Sequence, residues 1–245
     1  MDRMNVKKII PIIRINNRGV NQRFLEGNLG FKTYLEDAAF VEFGDGRSSE
    51  TKLVLVESPS MRTRAVKGVK KLHKIIIRVD NPVEIEALLA RGAVFTKLYK
   101  GANGYAFESV SPENDCFLLH AEEEVSQLVE ILPPVAFHTL EGFEKLTAFS
   151  VEKIIINTPQ AEKSRHFYEQ ILPGQQLLAF REVLGEDLLA ANDSTWDLDS
   201  LRIPVPADMN WSMLEEQLQA PFFKDRKERF LQTVDVNNME LWFEK

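Results

Sequence analysis

Lys74-Ile75-Ile76-Ile77 recurs in the chain as Lys153-Ile154-Ile155-Ile156, and Pro11-Ile12-Ile13-Arg14-Ile15 is a looser copy near the beginning. Each copy is a β-branched run of the kind favoured in strands, and each is followed by a turn signal and a helical pattern. Further strand patterns follow each helix, so the repeated unit has the order βαβββ. Such a repeat is informative before any single residue because it determines the architecture.

The pattern predicts four of these units. When their first strands are aligned, Ile9, His73, Glu152 and Asp199 occupy the strand starts of units one to four. Helices are predicted over 18–28, 83–91, 160–171 and 211–218. Unit three is expected to continue with strands at 176–182 and 187–191, and unit four is expected to be degenerate. The fold class is therefore α+β, with repeated βαβββ units paired into two curved-sheet domains.

The order of the units indicates two domains and a connection. Units one and two are expected to form an N-terminal paired domain, 1–121. Units three and four are expected to form a C-terminal, partly degenerate domain, 148–245. Three consecutive glutamates and Leu132-Pro133-Pro134 indicate a linker at 122–147, with a short helix over 124–131.

Composition restricts the function classes. The 245 residues carry a formal net charge of -7, with Asp and Glu outnumbering Lys and Arg by 37 to 30. This surface has no general attraction for nucleic acid or for anionic membranes, so neither is expected as a partner. The single cysteine, Cys116, excludes a disulfide within the chain. No signal peptide is recognisable, which predicts a cytoplasmic protein whose extracellular action would need unconventional export.

Several phrases resemble the vicinal oxygen chelate superfamily, which includes glyoxalase and bleomycin-resistance proteins. Phe167-Tyr168 before Leu172-Pro173-Gly174 is similar to its helix ending, and Ser111-Pro112-Glu113-Asn114-Asp115 is similar to its last hairpin. Glu240-Leu241-Trp242 resembles the strand that follows that hairpin. Over the whole chain, the length, the Lys-Ile-Ile-Pro opening and the Met-Glu-Leu-Trp-Phe ending resemble the streptococcal CppA family. That resemblance implies a proteinase that degrades complement component 3.

The superfamily resemblance also implies where a metal would bind. Its ligands come from the start of each first strand and from a Glu on each last strand, so the C-terminal half offers Glu152, Asp199 and Glu240 for a divalent metal. The N-terminal half keeps only His73, because Leu118 stands at its last-strand position. Extradiol dioxygenases carry two histidines and a glutamate at these positions, whereas an all-oxygen set suits Mg, Ca or Mn better than Fe. The alternative interpretation is that these acids are solvated strand ends.

The residues give a proteinase little support of their own. Cys116 lies in an apolar strand and is predicted to be a largely buried, inert thiol. His120, four residues further along the same strand, is about 13 Å away, which is too far for a hydrogen bond. The chain contains no Gly-x-Ser-x-Gly and no His-Glu-x-x-His motif, so the catalytic residues of a proteinase stay unassigned.

Aromatic residues suggest a different use of the scaffold. Phe95, Tyr99, Tyr105 and Phe107 can either line a cupped sheet that holds a small apolar ligand or fill the core. Tyr105 and Phe107 share one face of their strand because side chains alternate. Three functions therefore remain open: a proteinase acting on complement component 3, a small-molecule-binding or metal-dependent enzyme, and a non-catalytic binding protein.

Overall fold

The computed structural model describes residues 6–134, 136–218 and 221–245. Its four helices are α1 (Arg18–Arg23, continued as a π-helical segment over Phe24–Asn28), α2 (Pro82–Ala90), α3 (Ala161–Ile171) and α4 (Trp211–Gln217). Its strands, in chain order, are β1 (Ile10–Ile15), β2 (Lys32–Asp37), β3 (Phe40–Gly44), β4 (Leu53–Glu57), β5 (Leu72–Val79), β6 (Lys97–Lys100), β7 (Tyr105–Val110), β8 (Cys116–His120), β9 (Val129–Glu130), β10 (Phe149–Thr158), β11 (Leu178–Glu182), β12 (Leu198–Pro204), β13 (Phe223–Lys224), β14 (Phe230–Val234) and β15 (Glu240–Glu244).

The repeated isoleucine phrases form strands, as predicted. They lie in β1, β5 and β10, and each of these strands is followed by a helix. The starts of three helices follow from local chemistry: the side chains of Asn17, Asn81 and Asn210 accept hydrogen bonds from amides in the first turns of α1, α2 and α4. Gly30 follows the π-helical segment with φ +72°, a conformation that other residues rarely adopt.

The strands form two sheets, which confirms the α+β class with two curved sheets. The first sheet has eight strands in the order β13-β14-β15-β12-β1-β4-β3-β2, and the second has seven in the order β11-β10-β5-β8-β7-β6-β9. Unit one therefore pairs with unit four, through β1 and β12, and unit two pairs with unit three, through β5 and β10. The predicted pairing of units within each half of the chain is wrong. Equivalent first strands present the same apolar faces, so sequence alone does not distinguish the two pairings.

Units three and four also differ from expectation. Unit four is complete, with β12, α4 and the strands β13, β14 and β15, although it was expected to be degenerate. Unit three has only β10, α3 and β11, because 187–191 forms a turn rather than the predicted strand. In the connection, the predicted helix over 124–131 is replaced by a single 3-10 turn and the two-residue strand β9, which pairs with β6.

One large apolar core joins one face of each sheet to the helices. It includes Ile13 and Leu241 from the eight-stranded sheet, Ile75 and Phe117 from the seven-stranded sheet, and Leu214 of α4. The opposite face of each sheet is called its open face below. On the eight-stranded sheet it carries a separate small apolar cluster of Ile10, Ile12, Val54 and Val56. Among the described helices, none has the length and apolar character needed to cross a bilayer.

Candidate functional site

Three of the four aligned strand starts are β-bulges. Between β1 and β12, Ile12 pairs with Ser200 and Ile13 with Leu198, so Asp199 is the extra residue. Between β5 and β10, the register shifts leave Glu152 and His73 as the extra residues. A bulge inserts one residue that the partner strand does not match, and it re-aims that residue's side chain. The predicted equivalence of His73, Glu152 and Asp199 within their strands is therefore supported by a shared local geometry.

Asp199 is bound by a cation from its own chain. Arg14 donates from Nε at 2.8 Å and from Nη2 at 2.6 Å to Asp199 Oδ1, while Ser200 donates to Oδ2 at 3.1 Å. Burial raises the pKa of Asp199, and the Arg14 guanidinium counteracts that rise. The carboxylate that was predicted to bind a metal therefore already has an internal partner.

Glu240 lies on β15, and its carboxylate also has internal partners. Its Oε2 accepts hydrogen bonds from Gln232 Nε2 and from the indole Nε1 of Trp242, both at 3.1 Å. Glu240 and Asp199 share the eight-stranded sheet. Their charges act on each other, because Glu240 contributes to the raised pKa of Asp199.

Glu152 lies in the other sheet, where it contacts His120. His120 is fully buried, and its Nε2 lies 3.2 Å from Glu152 Oε2. The Glu122 amide donates to His120 Nδ1 at 3.3 Å, so the protonated ring nitrogen of a neutral His120 faces Glu152. Neither facing atom has a hydrogen-bond partner of good geometry among the described residues. Burial lowers the pKa of His120, with Arg78 adding to the effect and Glu152 opposing it.

His73 lies beside a cation as well. Arg181 Nη1 is 3.2 Å from His73 Nδ1 and 3.3 Å from Nε2. Burial lowers the pKa of His73, and the positive charges of Arg181 and Lys74 lower it further. The Arg181 guanidinium beside the ring repels a second cation, so the surroundings of His73 are unfavourable for metal binding.

The predicted metal set does not fit a metal in this geometry. Asp199 and Glu240 lie in one sheet and Glu152 in the other, which corrects the expectation that the three converge. Over the described ranges, no group of three or more His, Cys, Asp and Glu residues is arranged to hold a metal ion. The carboxylates of Asp199 and Glu240 instead accept hydrogen bonds from Arg14, Gln232 and Trp242, and that of Glu152 faces His120. The four candidate metal ligands therefore each face an internal partner in this structure.

Cys116 is also unsuited to nucleophilic chemistry. Most of its surface is covered, in line with the prediction, and it lies on the open face of the seven-stranded sheet close to Glu108 and Lys74. Burial raises the pKa of the Cys116 thiol to about 12, with the Glu108 carboxylate adding to the rise. The thiol is therefore protonated at neutral pH, and a protonated thiol is a poor nucleophile.

The aromatic residues singled out in the sequence mostly fill space. Phe107 is fully buried in the core, and Tyr105 packs against that core and meets Phe137 edge to face at 5.4 Å. The predicted sharing of one face by Tyr105 and Phe107 is confirmed, but that face is the core. These two residues therefore do not line a ligand site.

A different set of aromatic residues lies on the open face of the eight-stranded sheet. Residues directly opposite each other in a ladder share a face. One such row crosses the sheet through Phe223, Gln232, Trp242, Arg202 and Ile10. A second row continues on the other side through Ile12, Val54, Glu42 and Leu35. This face was not predicted from the sequence; the alternation of Trp242 with the core residues Leu241 and Phe243 is the signal that could have revealed it.

The two flanks of this face are apolar and exposed to solvent. On one flank, Phe223 packs 5.9 Å from Phe230, which packs 5.5 Å from Trp242, and Phe223 remains 58% exposed. On the other flank, Leu35 and Phe40 are 49% and 45% exposed. Exposed aromatic groups clustered on one surface are typical of binding sites rather than of an ordinary exterior.

Between these flanks, ion pairs join the strands on either side of the small apolar cluster on β1 and β4. Arg202 lies between two acids: its Nη1 is 3.0 Å from Glu42 Oε1, and its Nε is 3.4 Å from Glu244 Oε2. Burial alone would raise the pKa of Glu42, but hydrogen bonds from Thr51 and Arg202 outweigh it and lower the pKa. Burial raises the pKa of Glu244. Carboxylates are in excess in this part of the face. The cations are Arg14, Arg202 and Lys8, and the acids are Glu42, Asp199, Glu240 and Glu244.

Comparison with known proteins relates this architecture to two groups. The cppA protein from Streptococcus pneumoniae TIGR4, known from a crystal structure, is 39% identical, with 98% of each chain covered and a TM-score of 0.89. Glyoxalase I from Zea mays is 11% identical, with a TM-score of 0.55 over 99% of this chain and 92% of that one. A candidate dioxygenase from Bacillus subtilis subsp. subtilis str. 168 is 10% identical, with a TM-score of 0.63 over 98% and 86%.

At such low identity, the last two structures show the fold alone, which is that of the vicinal oxygen chelate superfamily. No curated protein matches the sequence. The sequence model of the CppA N-terminal region matches residues 8–131, and that of the CppA C-terminal region matches residues 146–243. The two matches together span most of the chain, which therefore belongs to the CppA family.

Proposed function

We propose that this protein binds a small molecule on the open face of its eight-stranded sheet, and that it acts by binding rather than by metal or thiol chemistry. The observation that carries the proposal is the pair of exposed apolar flanks, Phe223–Phe230–Trp242 and Leu35–Phe40, on either side of a charged centre. Ligand sites commonly combine apolar walls with a few polar groups that orient the ligand.

The charge of the centre selects the polar part of the ligand. Because carboxylates are in excess there, a cationic group is attracted and an anionic group is repelled. The aromatic flank adds a surface over which a cation is favourable, since the ring faces are electronegative. The ligand class is therefore a small molecule with an apolar, ring-sized body and a positively charged group, such as an arylalkylamine.

Matched probes test this proposal. 2-Naphthylmethylamine, an ammonium ion at neutral pH, and 2-naphthoate have the same ring body and opposite charges. Calorimetric titration of the wild-type protein is expected to give saturable binding of the amine. The amine should bind about threefold more tightly than the carboxylate, because each screened surface charge contributes less than about 1 kcal/mol. Equal affinities, or no saturable binding of the amine, would contradict the proposal.

Variants locate the binding. Phe223→Ala removes one ring from the flank, and loss of an aromatic contact worth about 0.5–1.5 kcal/mol weakens amine binding about two- to tenfold. Leu184→Ala is the matched control, because Leu184 is 84% exposed and lies outside this face. The proposal expects unchanged affinity in the control; an equal loss in both variants would indicate non-specific binding.

The complement component 3 proteinase implied by the family resemblance is tested beside it. Cys116 is protonated, and the two ring nitrogens of His120 face Glu152 and the Glu122 amide, so neither residue supports proteolysis. Purified protein incubated with intact component 3 is expected to give no new fragments. Defined fragments that disappear with Cys116→Ala would establish a thiol proteinase and overturn action by binding alone.

A further inference from the structure

Unit three lacks a strand that the other three units possess. In each unit the last strand lies parallel to the first: β4 beside β1, β8 beside β5, β11 beside β10 and β15 beside β12. In units one, two and four an antiparallel strand, β3, β7 or β14, then pairs with the outer side of the last strand. No strand in the described part of the chain takes that place beside β11, which ends its sheet.

Hydrogen bonds identify which backbone groups of β11 are on the outer side. Ile154 N–H donates to Leu177 C=O, and Val183 N–H donates to Thr158 C=O, so the odd-numbered residues bond to β10. In a parallel ladder the alternate residues then point their N–H and C=O groups away from the neighbour. The outward groups belong to Leu178, Phe180 and Glu182, and a sheet edge of this kind can template another strand.

A cleft of about 610 Å³ lies along this edge. Helix α3 forms one wall with its exposed face, and β11 forms the other; the lining residues are Glu162, Arg165, His166, Glu169, Gln175, Leu178, Ala179 and Phe180. The cleft is thus beside the edge at which the other units carry their own strand. Its location suits an extended chain that pairs with β11 and packs against α3.

We propose that an extended, basic peptide segment of a partner protein docks antiparallel to β11 and completes unit three. The direction follows from units one, two and four, in which the equivalent strand is antiparallel to the last one. Such addition of a strand to a sheet edge is an established mode of peptide recognition.

The chain itself indicates what the segment should carry. On their helix-facing sides the equivalent strands place Phe43 of β3, Phe107 of β7 and Leu231 of β14, each fully buried. The segment therefore needs a large apolar residue that faces α3. Glu162 of the cleft is paired with Arg165, whereas Glu169 and Glu182 are exposed acids at the cleft and the strand end. Basic residues beside the apolar one complement these acids.

A second copy of this chain fits the edge less well. Antiparallel self-pairing about Phe180 would place Glu182 of each copy opposite Leu178 of the other. Only five residues form the strand, so the buried area would be small compared with the roughly 1,200–2,000 Å² of stable interfaces. The peptide is therefore the assigned occupant, and self-association is one outcome that the test must distinguish.

Two side chains partly cap the edge. Arg165 Nη1 donates to Phe180 C=O at 3.3 Å, and Leu178 N–H donates to Gln175 Oε1 at 2.8 Å. The segment must displace the Arg165 contact to bond with Phe180 C=O. Arg165→Ala removes that competition and a like charge, so it is expected to strengthen binding of a basic peptide by about threefold.

The test uses a peptide copied from the equivalent strand of unit four. A fluorescein-labelled peptide of residues 226–234, Arg-Lys-Glu-Arg-Phe-Leu-Gln-Thr-Val, carries the apolar residue and a net positive charge. Fluorescence anisotropy with the full-length protein is expected to show saturable binding that a scrambled peptide of the same composition does not share. Equal binding of the scrambled peptide, or no saturable binding, would overturn the proposal.

A matched pair of variants assigns the edge. Glu182→Pro and Glu182→Ala both remove the exposed side chain, but only proline removes the outward N–H; neither affects the inward bonds of Arg181 and Val183. Peptide affinity is expected to be about tenfold lower in Glu182→Pro than in Glu182→Ala, because proline removes one hydrogen bond and places its ring on the edge. Unchanged binding in Glu182→Pro, with unfolding temperatures matched between the variants, would overturn the proposal. So would a dimer in sedimentation that only Glu182→Pro dissociates, because the occupant would then be a second copy.

Discussion

The open faces of the two sheets begin from the same plan and differ in what covers them. Both are built from paired first strands, and both carry bulged residues at the strand starts: Asp199 in the eight-stranded sheet, and His73 and Glu152 in the seven-stranded sheet. The eight-stranded face adds exposed aromatic groups at its flanks. The seven-stranded face instead carries further charged pairs, among them Lys74–Glu108 and Arg78–Glu123.

The comparison shows that the backbone geometry of the bulges is retained in both sheets, whereas the side-chain chemistry differs between them. The bulges lie at the positions for which the superfamily resemblance implied metal ligands, yet each bulged side chain here faces a cationic or imidazole group of the same chain. The bulge geometry therefore accompanies the fold, whereas metal binding requires donors that no internal cation occupies. The eight-stranded face adds the exposed aromatic groups on which the proposed ligand site rests.

The largest expected effect concerns the thiol of the seven-stranded face. With its pKa raised to about 12, Cys116 should react with iodoacetamide at pH 8 on the order of a hundredfold more slowly than in the urea-unfolded chain. Glu108→Gln removes the carboxylate that adds to the rise, so its native protein should react faster than wild type. Fast alkylation of the native wild type would show that this face holds a reactive nucleophile.

The next largest effect is expected on the free energy of unfolding when the Arg14–Asp199 pair is broken. Arg14→Ala leaves a buried carboxylate without its cation, and such losses cost about 3 kcal/mol in the free energy of unfolding. Urea denaturation measures it. Arg14→Ala combined with Asp199→Asn should recover part of the loss, because the stranded charge is removed. A single variant as stable as wild type would mean that the guanidinium does not stabilise the buried carboxylate.

The buried His120 should make the protein sensitive to acid. Burial holds its folded pKa below the usual 6.5, so near and below pH 6.5 the unfolded chain binds a proton that the folded protein does not. Stability therefore falls as the pH drops through this window, and the loss is complete below the folded pKa. His120→Gln should lose less stability than wild type between pH 7 and pH 5 in urea denaturation. An unchanged pH dependence would assign the sensitivity to other groups.

The smallest effect should come from Arg181, which lies on the surface beside His73. Arg181→Ala is expected to change the free energy of unfolding by less than about 0.5 kcal/mol, in contrast to Arg14→Ala beside the bulged Asp199 of the other sheet. Removing this neighbouring cation should raise the pKa of His73, which proton NMR titration measures. A large loss of stability would remove the distinction between the two bulges.

Sequence reasoning was sufficient where the signal was local and repeated. The isoleucine phrases locate β1, β5 and β10, and the Asn caps and the glycines after the helices place α1 and α2. The pairing of units was not accessible, because β1 and β5 offer similar apolar faces to any partner. The partners of Asp199 and Glu152 were not accessible either, because both partners are distant in sequence: Arg14 lies on the strand paired with that of Asp199, and His120 lies two strands away from Glu152.

The three indole groups of the chain offer a direct test of whether the eight-stranded face binds a small cationic aromatic molecule. Trp242 lies on that face, while the indoles of Trp196 and Trp211 donate elsewhere, to Ser58 and Glu228. Two-dimensional NMR of the 15N-labelled protein, with the indole signals assigned by single Trp→Phe variants, follows a titration with 2-naphthylmethylamine. We predict a saturable shift of the Trp242 signal and little change in the other two signals. Saturation with a shift confined to Trp196 or Trp211, or with no indole shift, would contradict binding on this face.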